Sequence, residues 1–129
     1  MEGGGVEMSK KAGRAMFKAF ERSKVFDKYE SHCAYCGQRI AFDKFQVDHL
    51  KPKMRGGTDD ISNLMPACAR CNRWKATYSI EEFREEIALQ VERLRRRVAG
   101  FRLAEDFGLI DTFSVPVKFW FERGLEASK

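Results

Sequence analysis

No stretch of this 129-residue chain approaches the run of about 20 apolar residues that a membrane-spanning helix requires. The opening Met1-Glu-Gly-Gly-Gly-Val-Glu lacks the apolar core of a secretory signal, so residues 1–8 are expected to be a disordered tail, with Met8 as an alternative start. Together these absences argue against a membrane or exported protein and for the cytoplasm. No internal repeat appears, and no linker marks off a second unit, so 9–129 is expected to form a single domain. Cysteine is sparse, with four residues, and acidic surplus is missing altogether: 24 Lys and Arg face 19 Asp and Glu, a net charge of +5. That sign favours a polyanionic partner without requiring one. Hydrophobic residues at 43% and charged ones at 33% exclude wholesale disorder.

What is present begins with a helix-prone stretch from Ser9 to about Tyr29. Met16, Phe17, Phe20, Val25 and Phe26 supply its apolar contacts, seven Lys and Arg fill its polar positions, and Gly13 weakens its front end. Alternation of apolar and polar residues predicts two short antiparallel strands, Arg39 to Phe42 and Phe45 to Leu50. Pro52 and Gly56-Gly57 mark Lys51 to Asp60 as loop, and Thr58 or Asp59 is placed to cap a short turn through Asn63. Ser79 and Glu82 form a capping box for a helix from Ile80 to Val98. Its apolar stripe is Ile80, Phe83, Ile87, Val91, Leu94 and Val98, and Gly100 stands at its C′ position. Glutamates crowd its start and Arg93, Arg95, Arg96 and Arg97 its end, as the helix dipole favours. A short helix over Phe101 to Phe107 follows, then a turn-like Gly108 to Pro116. The alternation of Val115, Val117, Phe119 and Phe121 predicts a C-terminal strand.

The four cysteines fall in two Cys-x-x-Cys pairs, Cys33 with Cys36 and Cys68 with Cys71. Without a secretion signal, such pairs suit a metal in a reducing compartment better than disulfides. Each pair is a tight turn aiming two sulfurs at one point, and Gly37 can take the positive φ that such turns need. Four thiolates complete a tetrahedral zinc site with no open position, so this zinc is expected to be structural and to stabilise the fold. His32, with the cysteines complete, reads as a surface residue.

Between and within the knuckles stand Cys-x-x-Cys-Gly, Val47-Asp-His-Leu-x-Pro, Gly56-Gly-Thr-Asp-Asp-Ile-Ser-Asn-Leu and Cys-x-x-Cys-Asn-x-x-Lys. This succession, Cys33 to Lys75 and about a third of the chain, resembles the HNH nuclease family. The resemblance is to small stand-alone, zinc-stabilised endonucleases of bacteria and phages. It implies an α+β fold built on a ββα-metal core with a four-cysteine zinc. The N-terminal helix, the long helix near 80–98 and the C-terminal strand would flank that core.

The resemblance further implies a metal-dependent endonuclease hydrolysing DNA phosphodiester bonds. His49 matches the base that deprotonates the attacking water, and Asp48 a ligand of the catalytic divalent ion. Asn63 matches the residue that holds the loop and orients the base. Asn72 stands where a histidine is usual in the family and would bind the ion through its amide oxygen. A histidine of near-neutral pKa suits the base role, and oxygen-only ligands at Asp48 and Asn72 favour Mg²⁺ or Mn²⁺. Successive residues of a strand point to opposite faces, so Asp48 and His49 diverge unless the strand bends. Lys51, Lys53 and Arg55, with Arg70, Arg73 and Lys75 on the following helix, are the candidate phosphate contacts. Trp74 reads as core.

DNA is the implied partner, with a homodimer or a phage or bacterial partner protein also open; no membrane is implied. A competing reading keeps the cysteines but not the chemistry: a non-catalytic zinc-ribbon module binding nucleic acid or protein. No appended recognition element is evident, which leaves cut site, nicking versus double-strand cleavage and oligomeric state undetermined.

Overall fold

The computed structural model describes residues 19–127. The expected tail over 1–8 and the part of the first helix before Ala19 lie outside the described residues. Helix α1 spans Ala19–Asp27 and buries Val25 completely. Arg22 ties it to the chain beyond the first knuckle, donating to the Phe42 carbonyl at 2.9 Å with its guanidinium 4.2 Å from the centre of the Phe45 ring. Lys28 just past the helix donates to the carbonyls of Ile61 and Leu64 at 2.6 and 2.7 Å.

The sheet among the described residues has two antiparallel strands, β1 (Gln46–His49) and β2 (Leu64–Ala67), paired Gln46–Ala67, Val47–Pro66, Asp48–Met65 and His49–Leu64. The expected strand over Arg39 to Phe42 does not form; of it, Arg39 makes only an isolated bridge to His32. The reason is local. The Ala41 carbonyl accepts from both Lys44 and Phe45, so the chain turns tightly at once, and Phe42 and Phe45 both pack on Phe26 instead of alternating. The partner of β1 therefore comes from beyond the loop. Two single-turn 3₁₀ segments, Lys53–Arg55 and Ile61–Asn63, shape that loop. The second starts at Asp60 without a side-chain cap, so neither Thr58 nor Asp59 serves as the expected cap.

β2 is buried along its whole length because each of its faces meets a different core. Leu64 joins Val25 and Phe45, whereas Met65 and Ala67 join Cys33, Ala34, Tyr35, Cys71, Phe83 and Phe119. Helix α2 (Ala69–Lys75) follows directly, completing a ββα unit. Its N-cap is a cysteine: the Cys68 sulfur accepts from the Cys71 N–H.

The expected long helix is two. Helix α3 (Ile80–Ala88) opens with the capping box of Ser79 and Glu82, and Phe83 fills the core against Tyr35 and Phe119. The helix breaks at Leu89, where the Gln90 side-chain amide donates to the Glu86 carbonyl and the Leu89 N–H shares that acceptor. A side chain thus competes for the carbonyl that the backbone ladder would use. Helix α4 (Gln90–Arg97) consequently turns the second half of the apolar stripe outward, leaving Val91, Leu94 and Val98 exposed. Gly100 does not close a helix; it lies near the start of α5 (Ala99–Asp106), and Val98, extended, separates the two. Two of the arginines crowding α4 pair within the chain: Arg93 with Glu86, and Arg95 with Glu105 at 2.9 Å.

No C-terminal strand forms. Residues 110–119 run without regular structure, and Trp120–Ala127 is helix α6. The aromatic alternation is used otherwise. Phe119 is buried on Phe83, the Glu122 carboxylate caps the helix by accepting from the Phe119 N–H, and Arg84 binds both Glu122 and the Val117 carbonyl. The Trp120 and Phe121 N–H groups donate to the Tyr35 and Ala34 carbonyls, anchoring this end on the first knuckle. No helix among the described residues is long and apolar enough to cross a membrane.

Replacing Ser79 by Ala removes the acceptor for the Glu82 N–H and is expected to cost about 1 kcal/mol. A thermal melt should then show a midpoint lower by about 4 °C. An unchanged midpoint would show that α3 is held by Phe83 packing and the Arg84 contacts without the cap.

Candidate functional site

The two knuckles meet as their spacing predicts. The four cysteine sulfurs lie within 4.8 Å of one another, and Cys36 and Cys68 are 3.9 Å apart. Metal–sulfur bonds of about 2.3 Å in a tetrahedron require sulfurs separated by just under 4 Å, so the cluster has the dimensions of a four-thiolate site. The first knuckle is closed by the Cys33 N–H on the Gln38 carbonyl and the Gly37 N–H on the Cys33 carbonyl, with Gly37 at φ 81°. A side chain at Gly37 would also collide with the Trp120 indole. The hydrogen bond from Cys71 draws the Cys33 thiol down to about 4, against the opposing effect of burial. Arg70 lies against the Cys36 and Cys71 sulfurs, which hold its guanidinium above the ordinary range. His32 is not part of the cluster; its imidazole stacks on Trp120.

β1 presents its two candidate residues to different surroundings. Cross-strand partners share a face, so Asp48, opposite Met65, lies on the side of the larger core, and His49, opposite Leu64, on the other. No bend brings them together. Asp48 is 7% exposed, and its Oδ2 accepts from the Tyr35 hydroxyl at 2.5 Å and pairs with Lys75 Nζ at 3.1 Å. Burial raises its carboxyl above the usual range, with the Lys75 charge pulling the other way. Burial, with the Asp48 charge beside it, pushes the Tyr35 phenol well up, so it stays a proton donor.

Lys75 corrects one expectation. It is fully buried, donating to the His49 carbonyl at 2.9 Å while pairing with Asp48, and so cannot reach a phosphate on the surface. Trp74, expected in the core, is 48% exposed. Asn72 reaches the same strand: its amide nitrogen donates to Gln46 Oε1 at 2.7 Å. Gln46 and Asp48, two residues apart, share a face, so Asn72 approaches β1 on the Asp48 side. With its nitrogen spent on Gln46 and the Asp48 contacts falling on Oδ2, the remaining donors are an amide oxygen and a carboxylate oxygen. That set fits a hard divalent cation completed by water or phosphate oxygens.

His49 is held at Nε2, which lies 2.7 Å from Asp59 Oδ1. The other Asp59 oxygen takes Lys53 Nζ at 3.0 Å. These two hydrogen bonds, His49 first, hold the Asp59 carboxyl below its ordinary range. Asn63 closes the loop: its Oδ1 accepts from the Lys51 N–H at 2.9 Å and its Nδ2 donates to the Lys51 and Thr58 carbonyls. Gly57 is required inside that closure, since a Cβ there would sit 1.7 Å from the Lys51 oxygen. Of the remaining cations, Lys51, Lys53, Arg55 and Arg73 are exposed, and Arg55 pairs with Glu82 at 2.8 Å.

Sequence reasoning missed Asp59 and Tyr35 as members of this site. Asp59 stood beside an equivalent Asp60 with nothing to tell them apart. Tyr35 sat inside a knuckle whose cysteines explained the motif without it.

Replacement of Lys75 by Met strands the Asp48 charge in the interior. Breaking a buried pair in this way costs about 3–5 kcal/mol. Urea unfolding should report a loss of that size; a loss under about 1 kcal/mol would mean that Asp48 is protonated in the wild type.

Residues 33–77 match the family model described as HNH endonuclease. The chain is 43% identical over 44 residues to the CRISPR-associated endonuclease Cas9 of Corynebacterium diphtheriae, covering 33% of this chain and 4% of that protein. It is 34% identical over 71 residues to the SPbeta prophage-derived putative HNH endonuclease YoqL of Bacillus subtilis, covering 46% and 30%. Among solved structures, the Type II-C Cas9 of Actinomyces naeslundii superposes with a TM-score of 0.49 at 21% identity, over 78% of this chain and 12% of that one. This chain therefore spans less than a third of the length of these relatives.

Proposed function

Residues 33–77 carry the motif of the HNH endonuclease family, and from that premise we propose that this chain is a metal-dependent endonuclease hydrolysing phosphodiester bonds in DNA. The observation that supports the reading is the setting of His49. β1 carries it inside the matched residues 33–77, Asp59 holds its ring from a loop that Asn63 closes, and Asp48 and Asn72 stand on the same ββα unit.

In this reading His49 takes a proton from the attacking water as the new P–O bond forms. The bond to the leaving sugar oxygen breaks, and that oxygen takes a proton from solvent water. Asp48 and Asn72 would hold Mg²⁺ or Mn²⁺, which when bound supplies charge relief at the phosphate and leaving group. Tyr35 and Lys75 fix the Asp48 carboxylate, and Lys75 also fixes the His49 backbone. Asn63 keeps the loop after the base closed. Lys51, Lys53, Arg55 and Arg73 contact flanking phosphates, which sets affinity and position and makes binding fall with salt. Arg70, also exposed, stands beside the sulfur cluster and contacts phosphate from there.

The cysteine cluster holds a structural Zn²⁺ whose binding free energy is part of the folding free energy. Purified protein should contain one zinc per chain, and a strong chelator should abolish the cooperative melt. Full folding after complete zinc removal would refute this role.

Plasmid cleavage with added Mg²⁺ or Mn²⁺ tests the chemistry. His49→Ala should retain the wild-type melt and circular dichroism while losing activity by at least about a hundredfold. Equal cutting by both proteins would remove His49 from the mechanism. Binding of DNA without cleavage by either would favour the non-catalytic zinc-ribbon module.

A further inference from the structure

The loop that carries Asp59 is built to hold one carboxylate against one imidazole. Asn63 ties Thr58 and Lys51 together across the loop, and Gly57 lets the backbone close on the Lys51 carbonyl. Thr58 and Asp60, the neighbours of Asp59, are bonded to each other through the Thr58 hydroxyl. Asp59 is thus set on a closed support. Its Oδ1 meets His49 Nε2 at 2.7 Å and its Oδ2 meets Lys53 Nζ at 3.0 Å.

We propose that Asp59 is the positioning residue of the base: its carboxylate anchors the His49 ring through Nε2 and thereby puts the working lone pair on Nδ1. This rests on the reading of His49 as base given above. An ionised carboxylate only accepts hydrogen bonds, so the ring nitrogen facing it must carry the proton. In a neutral imidazole the other nitrogen then holds the lone pair, and the bond at one nitrogen sets the chemistry at the other. The contact also limits rotation of the ring. When Nδ1 takes the water proton, Asp59 faces the imidazolium so formed. Lys53 takes the second carboxylate oxygen of Asp59 and leaves Oδ1 to His49.

The chain has two histidines, His32 and His49, so nitrogen-15 NMR of the ring nitrogens resolves the tautomer directly, with His49→Ala supplying the assignment. The wild-type protein, at a pH where His49 is neutral, should show the proton on Nε2. Asp59→Ala should give mixed tautomers, and kcat should fall by about tenfold to a hundredfold with KM within about twofold. Lys53→Ala should raise KM and leave the His49 tautomer intact.

A wild-type proton on Nδ1 overturns the proposal whatever the variants do. So does an Asp59→Ala protein with unchanged kcat and tautomer. A rise in KM alone would assign Asp59 to Lys53 and phosphate binding, and a gain in activity would show its carboxylate blocking the phosphate position; either outcome sinks the positioning role. If the wild type does not cut DNA at all, the nuclease reading fails, and the tautomer still reports separately on the contact.

Discussion

A fully buried ammonium must find its counter-charge where it lies, and in this protein that requirement joins the helix to the strand. Lys75 at the end of α2 has no exposed surface. Its three donors are answered in part by the Asp48 carboxylate and the His49 carbonyl on adjacent residues of β1. Stripping an ion of water costs several kcal/mol, and only a well-placed partner returns it. The helix is therefore locked in register with the strand. Tyr35, from inside the first knuckle, adds its hydroxyl to the same carboxylate. Knuckle, strand and helix converge on one oxygen.

The sulfur cluster acts on the same three pieces from the other end. Cys33 and Cys36 belong to the turn that carries Tyr35, and Cys68 and Cys71 to the start of the helix that carries Asn72 and Lys75. Bringing four sulfurs to one point leaves the strand pair little choice of register, because β2 runs straight into Cys68. One clip closes a long stretch of chain, and one buried pair sets the fine alignment within it. The remaining elements cover this unit. Phe83 of α3 and Phe119, just before α6, stack on each other and meet Tyr35 edge-on, and α1 covers the opposite side of β2 through Val25.

Much of this was legible in the sequence because the signals were local. Two Cys-x-x-Cys turns, the capping box at Ser79, the helix after Cys68 and the positive-φ Gly37 each depend on a few neighbouring residues, and each is present. The errors came where pattern stood in for pairing. Residues 39–42 and 115–121 alternate as strands do, yet neither found an edge to join. A tight turn at Ala41 used the first, and core packing of Phe119 with capping by Glu122 used the second. The 80–98 stripe read as one helix, yet the ladder is interrupted at Leu89, where the Gln90 side-chain amide and the Leu89 N–H both meet the Glu86 carbonyl.

By itself the sequence determined the kinds of chemistry available: four thiols in paired turns, an Asp-His pair, asparagines in register with it, and a basic loop. Residue identity and short spacing are sufficient for that, since each is a property of the chain before it folds. Which groups meet was decided by tertiary structure. Lys75 became a buried counter-ion instead of a phosphate contact, Trp74 was left at the surface, and Asp59, not Asp60, met His49. These outcomes depend on which face of the helix reaches the strand and on where a ten-residue excursion brings the chain back. Both are set by burial and closure across the whole domain, which no local pattern contains.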